Sequence, residues 1–172
     1  MSQSKKTEAS CVVHPISPVF DENSRILILG SFPSVKSRES GFFYGHPQNR
    51  FWKVLSHLTE EKLPVTIEEK KEFLLRNRIA LWDVIASCTI IGSSDSSIRD
   101  VVPNDLSVIL AGARISQIFC NGNTSYQLYV KYLQKETNRT AVRLPSTSPA
   151  NAAWQMERLC NSWKECLSFC RE

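Results

Sequence analysis

The run Arg25-Ile26-Leu27-Ile28-Leu29-Gly30 decides the fold of this chain. Four apolar residues follow one another without a polar interruption, and a glycine closes the run. A strand with one face in water would alternate apolar and polar residues. An unbroken run of this length suits a parallel strand whose sheet is covered on both faces. Segments 79–85, 115–120 and 140–144 have the same character. Between them lie helical patterns. Phe51, Trp52, Leu55 and Leu58 share one face of a helix over 50–58. Thr66 and Glu69 form a capping box that opens a helix running to about residue 78. Asn104 or Asp105 is placed to cap a helix ending near 113, and a further helix spans 124–137. From 152 to 170, Met156, Leu159, Cys160, Trp163, Cys166, Leu167 and Cys170 keep a three-to-four-residue period. Residues 87–97 are polar and are expected to form a loop.

Strands alternating with helices predict an α/β domain: a three-layer α/β/α sandwich around a mostly parallel four-stranded sheet. Residues 1–14 read as a flexible polar tail and 15–172 as one domain. In such folds ligands bind where the strands end at their carboxyl side. Two exits are chemically rich, residues 30–50 and 145–151.

The chain has 172 residues with 42% hydrophobic and 22% charged side chains, which suits one globular domain. No apolar run has the roughly 20 residues of a membrane helix. The first residues, Met1-Ser2-Gln3-Ser4-Lys5-Lys6, offer no apolar core of a secretory signal. A cytoplasmic, soluble, monomeric protein with no membrane contact is expected. Net charge is +4, too small to prove a nucleic-acid partner. The cations are clustered, however: Lys36, Arg38, Arg50 and Lys53 in one segment, and Lys131, Lys135, Arg139 and Arg143 in another. A local basic surface favours phosphate. The six cysteines form no CxxC pair, and the three histidines have no zinc-like spacing. Reduced, mostly buried thiols and no metal or cofactor are expected.

The densest chemistry lies in Ser40-Gly41-Phe42-Phe43-Tyr44-Gly45-His46-Pro47-Gln48-Asn49-Arg50-Phe51-Trp52. Phe42, Phe43, Phe51 and Trp52 read first as core. His46, Asn49 and Arg50 among those rings have no packing purpose. A site that stacks a flat heterocycle and hydrogen-bonds its edge needs that mixture. Tyr44 fits either reading. Gly30-Ser31-Phe32-Pro33-Ser34 is a tight turn after the first strand and lacks the spacing of a phosphate loop. Asp83 at a strand end reads as a cap or as a second polar group of the site. Residues 93–97 read as a turn or as a wall of the pocket.

Taken together, Gly30-Ser31-Phe32-Pro33-Ser34, the stretch Gly45-His46-Pro47-Gln48-Asn49-Arg50-Phe51-Trp52 and Leu144-Pro145-Ser146-Thr147-Ser148-Pro149 resemble the uracil-DNA glycosylase superfamily, over about residues 15–170. Within it the chain looks most like the hypoxanthine-DNA (deoxyinosine) glycosylase branch. The resemblance implies a monofunctional hydrolase that flips a deaminated base out of DNA and cleaves its N-glycosidic bond in base excision repair. It implies a base pocket of Gly30, Ser31, Phe32, Pro33 and Ser34, with Tyr44 stacking on the flipped base. It implies Asn49 and His46 as catalytic residues. It places Ser146, Thr147, Ser148, Pro149 and Ala150 on a loop that enters the minor groove, with Lys36, Arg38 and Arg50 meeting DNA. Two positions depart from the pattern. Phe32 stands where many relatives hold the attacking water with Asn or Asp, and a phenyl ring cannot orient water. Uracil excision is therefore expected to be the weaker activity. Ala150 is smaller than the wedge of relatives. A uracil- or xanthine-preferring glycosylase, an inactive nucleic-acid-binding module and a small-molecule hydrolase are the alternatives.

Overall fold

The computed structural model describes residues 8–171. Its centre is the sheet announced by the apolar runs. Strands β2 (Ile26–Gly30), β3 (Ile79–Asp83), β6 (Gln117–Asn121) and β7 (Ala141–Leu144) lie in the order β3-β2-β6-β7, and all pairs are parallel. All five residues of β2 are buried. Ile26 and Ile28 face one core with Phe51, Phe73 and Trp163. Leu27 and Leu29 face the other with Ile109, Ile118 and Tyr129. This alternation is why no polar residue interrupts the run: each face of β2 is the wall of a separate core.

Helices α2 (Phe51–Thr59), α3 (Ile67–Arg76) and α7 (Met156–Ser168) supply the first core. Helices α4 (Ser107–Gly112) and α5 (Asn123–Tyr132) supply the second. The α/β/α sandwich with a four-stranded parallel sheet is thus the observed architecture. Thr66 caps α3 by accepting from Glu69 N, and Glu69 reaches back one residue beyond the cap to accept from Val65 N. A short helix α1 (Val35–Ser40) follows the β2 exit. Asp105, not Asn104, receives the Ser107 N–H at the start of α4. The helix expected over 124–137 breaks at Leu133 into α5 and α6 (Gln134–Thr137). The last helix starts at Met156, after Pro149, Ala150, Asn151 and Trp154 have lined the crevice and the groove beside it.

A second sheet corrects the sequence reading. Strand β1 (Ser10–Val13) pairs antiparallel with β4 (Ile85–Ile90), which pairs antiparallel with β5 (Arg99–Pro103). The expected tail therefore divides: residues 1–7 lie outside the described residues, while Ser10–Val13 is a strand and His14 enters the site. The run 79–85 is not one strand. The chain leaves the parallel sheet at Val84, whose N–H donates to Gly30 O while that of Ile85 donates to Ser31 O. Asn104, buried, fixes the crossover by donating from Nδ2 to Asp83 O and Ile85 O. Most of the expected loop 87–97 is strand β4 followed by a turn over the site.

Candidate active site

β2 sits at the centre of the parallel sheet, with β3 on one side and β6 on the other. Chain direction diverges there, and the carboxyl ends open a crevice. A cavity of about 400 Å³ fills it, a usual size for a small-molecule cleft. Gly30, Asp83 and Asn121 end three strands at its floor, and the turns 31–34, 43–49, 93–95 and 146–150 form its walls.

The floor is a carboxylate. Asp83 is 3% exposed, and its Oδ2 lies 2.7 Å from His14 Nε2. The backbone fixes the proton on that histidine. Ile16 N donates to His14 Nδ1 at 3.1 Å, so Nδ1 is a lone pair and Nε2 carries the hydrogen. Asp83 Oδ2 is then an acceptor, while Oδ1, which takes no hydrogen bond among the described residues, lies against Gly30. Gly30 is glycine for this reason. A methyl group there would collide with Asp83 Oδ1 and stand 3.0 Å from Tyr44 Oη.

Tyr44 takes the left-handed conformation, φ 53°, and its ring stacks on Phe51 at 4.1 Å between centroids. Phe51 is fully buried, so the stack fixes the ring against the core. Among the described residues no partner completes a well-formed hydrogen bond to the buried hydroxyl. Burial and then the Asp83 carboxylate hold the phenol well above its ordinary range, with the Asn121 amide offsetting part of this.

Asn49 is held through its oxygen. Phe51 N donates to Asn49 Oδ1 at 3.0 Å and Thr147 Oγ1 donates to it at 2.9 Å. Thr147 Oγ1 accepts from Asn121 Nδ2, and Thr147 N donates to Asn121 Oδ1. Backbone N–H groups at both ends of this chain set the orientation of both amides. What Asn49 has left for a ligand is its Nδ2, a donor. His46 is arranged alike. Gln48 N donates to its Nδ1 at 3.1 Å, so the neutral ring carries its hydrogen on Nε2 and can donate without being charged.

Two expected residues have other duties. Thr147 is 1% exposed and spends its groups on Asn49 and Asn121, so it does not face DNA. The Arg50 guanidinium reaches the carbonyls of Ser148, Asn151 and Trp154. It ties the 146–154 loop to the start of α2 and is not free to meet phosphate. Trp163 Nε1 donates to Pro145 O at the root of the same loop. Phe32, 8% exposed, packs edge-on to His14 at 5.9 Å with the Arg38 guanidinium 5.6 Å away. Arg38 donates to Gly92 O, and Ser93 Oγ accepts from Val35 N. These bonds tie the β4–β5 turn to α1.

The uracil DNA glycosylase superfamily model matches residues 17–169. A protein of Methanosarcina acetivorans named hypoxanthine DNA glycosylase is 38% identical over 81% of this chain and 89% of its own length. A protein of the same name from Methanosarcina barkeri is 37% identical over 78% of this chain and 85% of its own. The chain belongs to the uracil DNA glycosylase superfamily. A solution NMR structure of a candidate uracil DNA glycosylase from Methanosarcina acetivorans superposes with a TM-score of 0.78 at 33% identity. It covers 91% of this chain and 97% of that one.

Against that superfamily fold, the expected pocket residues Gly30, Ser31, Phe32, Pro33, Ser34, Tyr44, His46 and Asn49 do converge on one cavity, with Ser146, Ser148, Pro149 and Ala150 on its wall. Lys36 is exposed on α1, 3.7 Å from Glu39. Sequence reasoning missed His14, which pairs with a residue 69 positions away, and Asn121, whose polar character at a strand end was the available signal. Among the described residues no three His, Cys, Asp or Glu side chains gather to hold a metal. Nor is any helix there long and apolar enough to cross a membrane. Burial pushes the Cys120 thiol up to about 12, which makes it a packing group.

Proposed function

We propose that this protein is a monofunctional DNA glycosylase that hydrolyses hypoxanthine from deoxyinosine in base excision repair. The floor carboxylate carries the reading. Deamination of adenine or cytosine turns a ring nitrogen from a lone-pair acceptor into an N–H donor. Asp83 Oδ1, an acceptor without a partner among the described residues, matches the N1–H of hypoxanthine and the N3–H of uracil. It opposes the ring lone pair of adenine or cytosine, since a buried acceptor facing an acceptor is left unsatisfied. Guanine keeps the N–H but sits in its own base pair, where extrusion costs most.

The donors complete the scheme. Cleavage sends the C1′–N electron pair onto the base. Asn49 Nδ2 and the His46 Nε2–H can stabilise that charge at the base edge, an interaction strongest in the transition state. The Tyr44 ring, backed by Phe51, offers a face for stacking. Among the described residues no lysine lines the cavity, so they offer no amine for a Schiff base, and direct hydrolysis is the chemistry they can support. The two hypoxanthine DNA glycosylases at 37–38% identity support the same substrate. The partner is DNA carrying deaminated bases, met by a monomer in a compartment with access to DNA. Uracil is the second substrate, because its N3–H would also satisfy Asp83.

The test is incubation with matched duplexes carrying deoxyinosine, deoxyuridine, deoxyxanthosine or deoxyadenosine, followed by alkaline cleavage of abasic sites. Strand breaks at deoxyinosine, fewer at deoxyuridine and none at deoxyadenosine are expected. Release of no deaminated base would overturn the reading.

A further inference from the structure

Hydrolysis needs a group that accepts a proton from water near the sugar, and the pocket has few acceptors left. Asn49 Oδ1 already takes two hydrogen bonds. His46 Nδ1 is taken by Gln48 N. Phe32 has no polar atom. Asp83 lies on the floor, at the far end of a base that enters the cavity. The extruded base goes in first, so its sugar stops at the mouth.

At the mouth stands Asp95, in the turn between β4 and β5. It lines both the base cavity and the adjoining groove formed by Gly122, Asn123, Arg143 and Trp154. It is therefore at the boundary between the place for a base and the place for the strand that carries it. Ser31 Oγ donates to Asp95 Oδ1 at 3.2 Å, and Oδ2 is left over. The turn is held over the first motif by Ser93 and by Arg38, so the carboxylate is placed and not merely adjacent.

We infer that Asp95 is a further catalytic residue, which binds the hydrolytic water through Oδ2 and takes its proton. The inference rests on the glycosylase reading above. In the step, the water oxygen bonds to C1′ as the C1′–N bond breaks. The bond pair leaves with the base, whose negative charge meets the donors of Asn49 and His46, and the water proton passes to Asp95. Burial raises the Asp95 proton affinity, the Ser31 hydroxyl lowers it, and the Asp83 carboxylate raises it. The titratable or charged groups around Asp95 among the described residues include Asp83, Tyr44 and His46 across the cavity, Arg143 across the groove, and Cys88 and Arg38 at the root of its own turn.

The experiment is single-turnover release of hypoxanthine as a function of pH by the wild type and by Asp95→Asn and Ser31→Ala. Binding of each to a duplex with an abasic site is measured in parallel. A general base must be ionised, so the wild-type rate falls as pH drops through the Asp95 titration. Asp95→Asn should lower the plateau rate by roughly 10²–10³-fold, within the usual range for losing a general base, abolish that acid limb and leave abasic-site binding within about twofold. Ser31→Ala removes a hydrogen bond to the ionised form, so the acid limb should move to higher pH. A wild-type rate and acid limb in Asp95→Asn would overturn the proposal, and so would an unmoved limb in Ser31→Ala. Wild-type activity on deoxyinosine in the same assay separates that failure from failure of the glycosylase reading itself.

Discussion

The parallel sheet and the antiparallel sheet meet at one pocket, yet they build it by different means. Strand ends of the parallel sheet give the floor, with Gly30, Asp83 and Asn121 locked by backbone N–H groups, a buried histidine and a threonine bridge. The antiparallel sheet gives the rim. Its strand β5 is largely exposed, and its turn is attached by side-chain bonds to α1 and Ser31. The floor is over-determined, and the rim is tethered. Base selection requires fixed acceptors and donors, since a misplaced atom accepts the wrong base.

The largest expected effect breaks the fixed half. Asn49→Ala removes the donor held by Phe51 N and Thr147, and single-turnover release of hypoxanthine should fall by roughly 10²–10³-fold with DNA affinity nearly unchanged. Equal rates in the two proteins would take Asn49 out of the chemistry. Two glycines sharpen the contrast. Gly30→Ala drives a methyl into Asp83 Oδ1 and Tyr44 Oη. It should cost about 1–3 kcal/mol in denaturant unfolding, as overpacking does, and lower cleavage by roughly 10²-fold through the displaced carboxylate. Gly92 in the rim has φ +57° and open space around it. Gly92→Ala should cost about 1–2 kcal/mol from left-handed strain alone and leave the order of substrates unchanged. A change of substrate order in Gly92→Ala would show that the rim also selects the base. The smallest effect concerns Lys36, exposed on α1 beside the rim. Lys36→Ala should reduce the slope of log affinity against log salt by about one phosphate contact and leave single-turnover cleavage untouched. An unaltered slope would remove α1 from the DNA surface.

How far the sequence carried each half follows from the same contrast. The floor strands are buried on both faces, so their apolar runs were legible, and the loops after them drew notice because polar groups stood among aromatics. The rim strands were hidden. Ile85–Ile90 and Arg99–Pro103 mix apolar and polar residues on partly exposed faces, and Ser10–Val13 sits in a polar N-terminal stretch. Strand pairing across such distances leaves no local pattern. Asp83 and the 93–97 turn were visible as candidates, but nothing in the sequence said that one lies on the floor and the other at the mouth. The guanidinium of Arg50 is a similar case. A cation in a basic segment suggests phosphate, and only the fold brings the carbonyls of Ser148, Asn151 and Trp154 around it. His14 reads as part of the tail because its partner, Asp83, is remote in sequence.

The central claim is that the floor recognises deamination through one hydrogen bond, from the N1–H of hypoxanthine to Asp83 Oδ1. Deoxynebularine tests it most directly. Its purine has a lone pair at N1 and no substituent at C6, so it is smaller than hypoxanthine and cannot be refused for size. Single-turnover release should be slower than from deoxyinosine in the same duplex by roughly 10²-fold or more, the consequence of an acceptor left facing an acceptor. Comparable rates for the two bases would contradict the account.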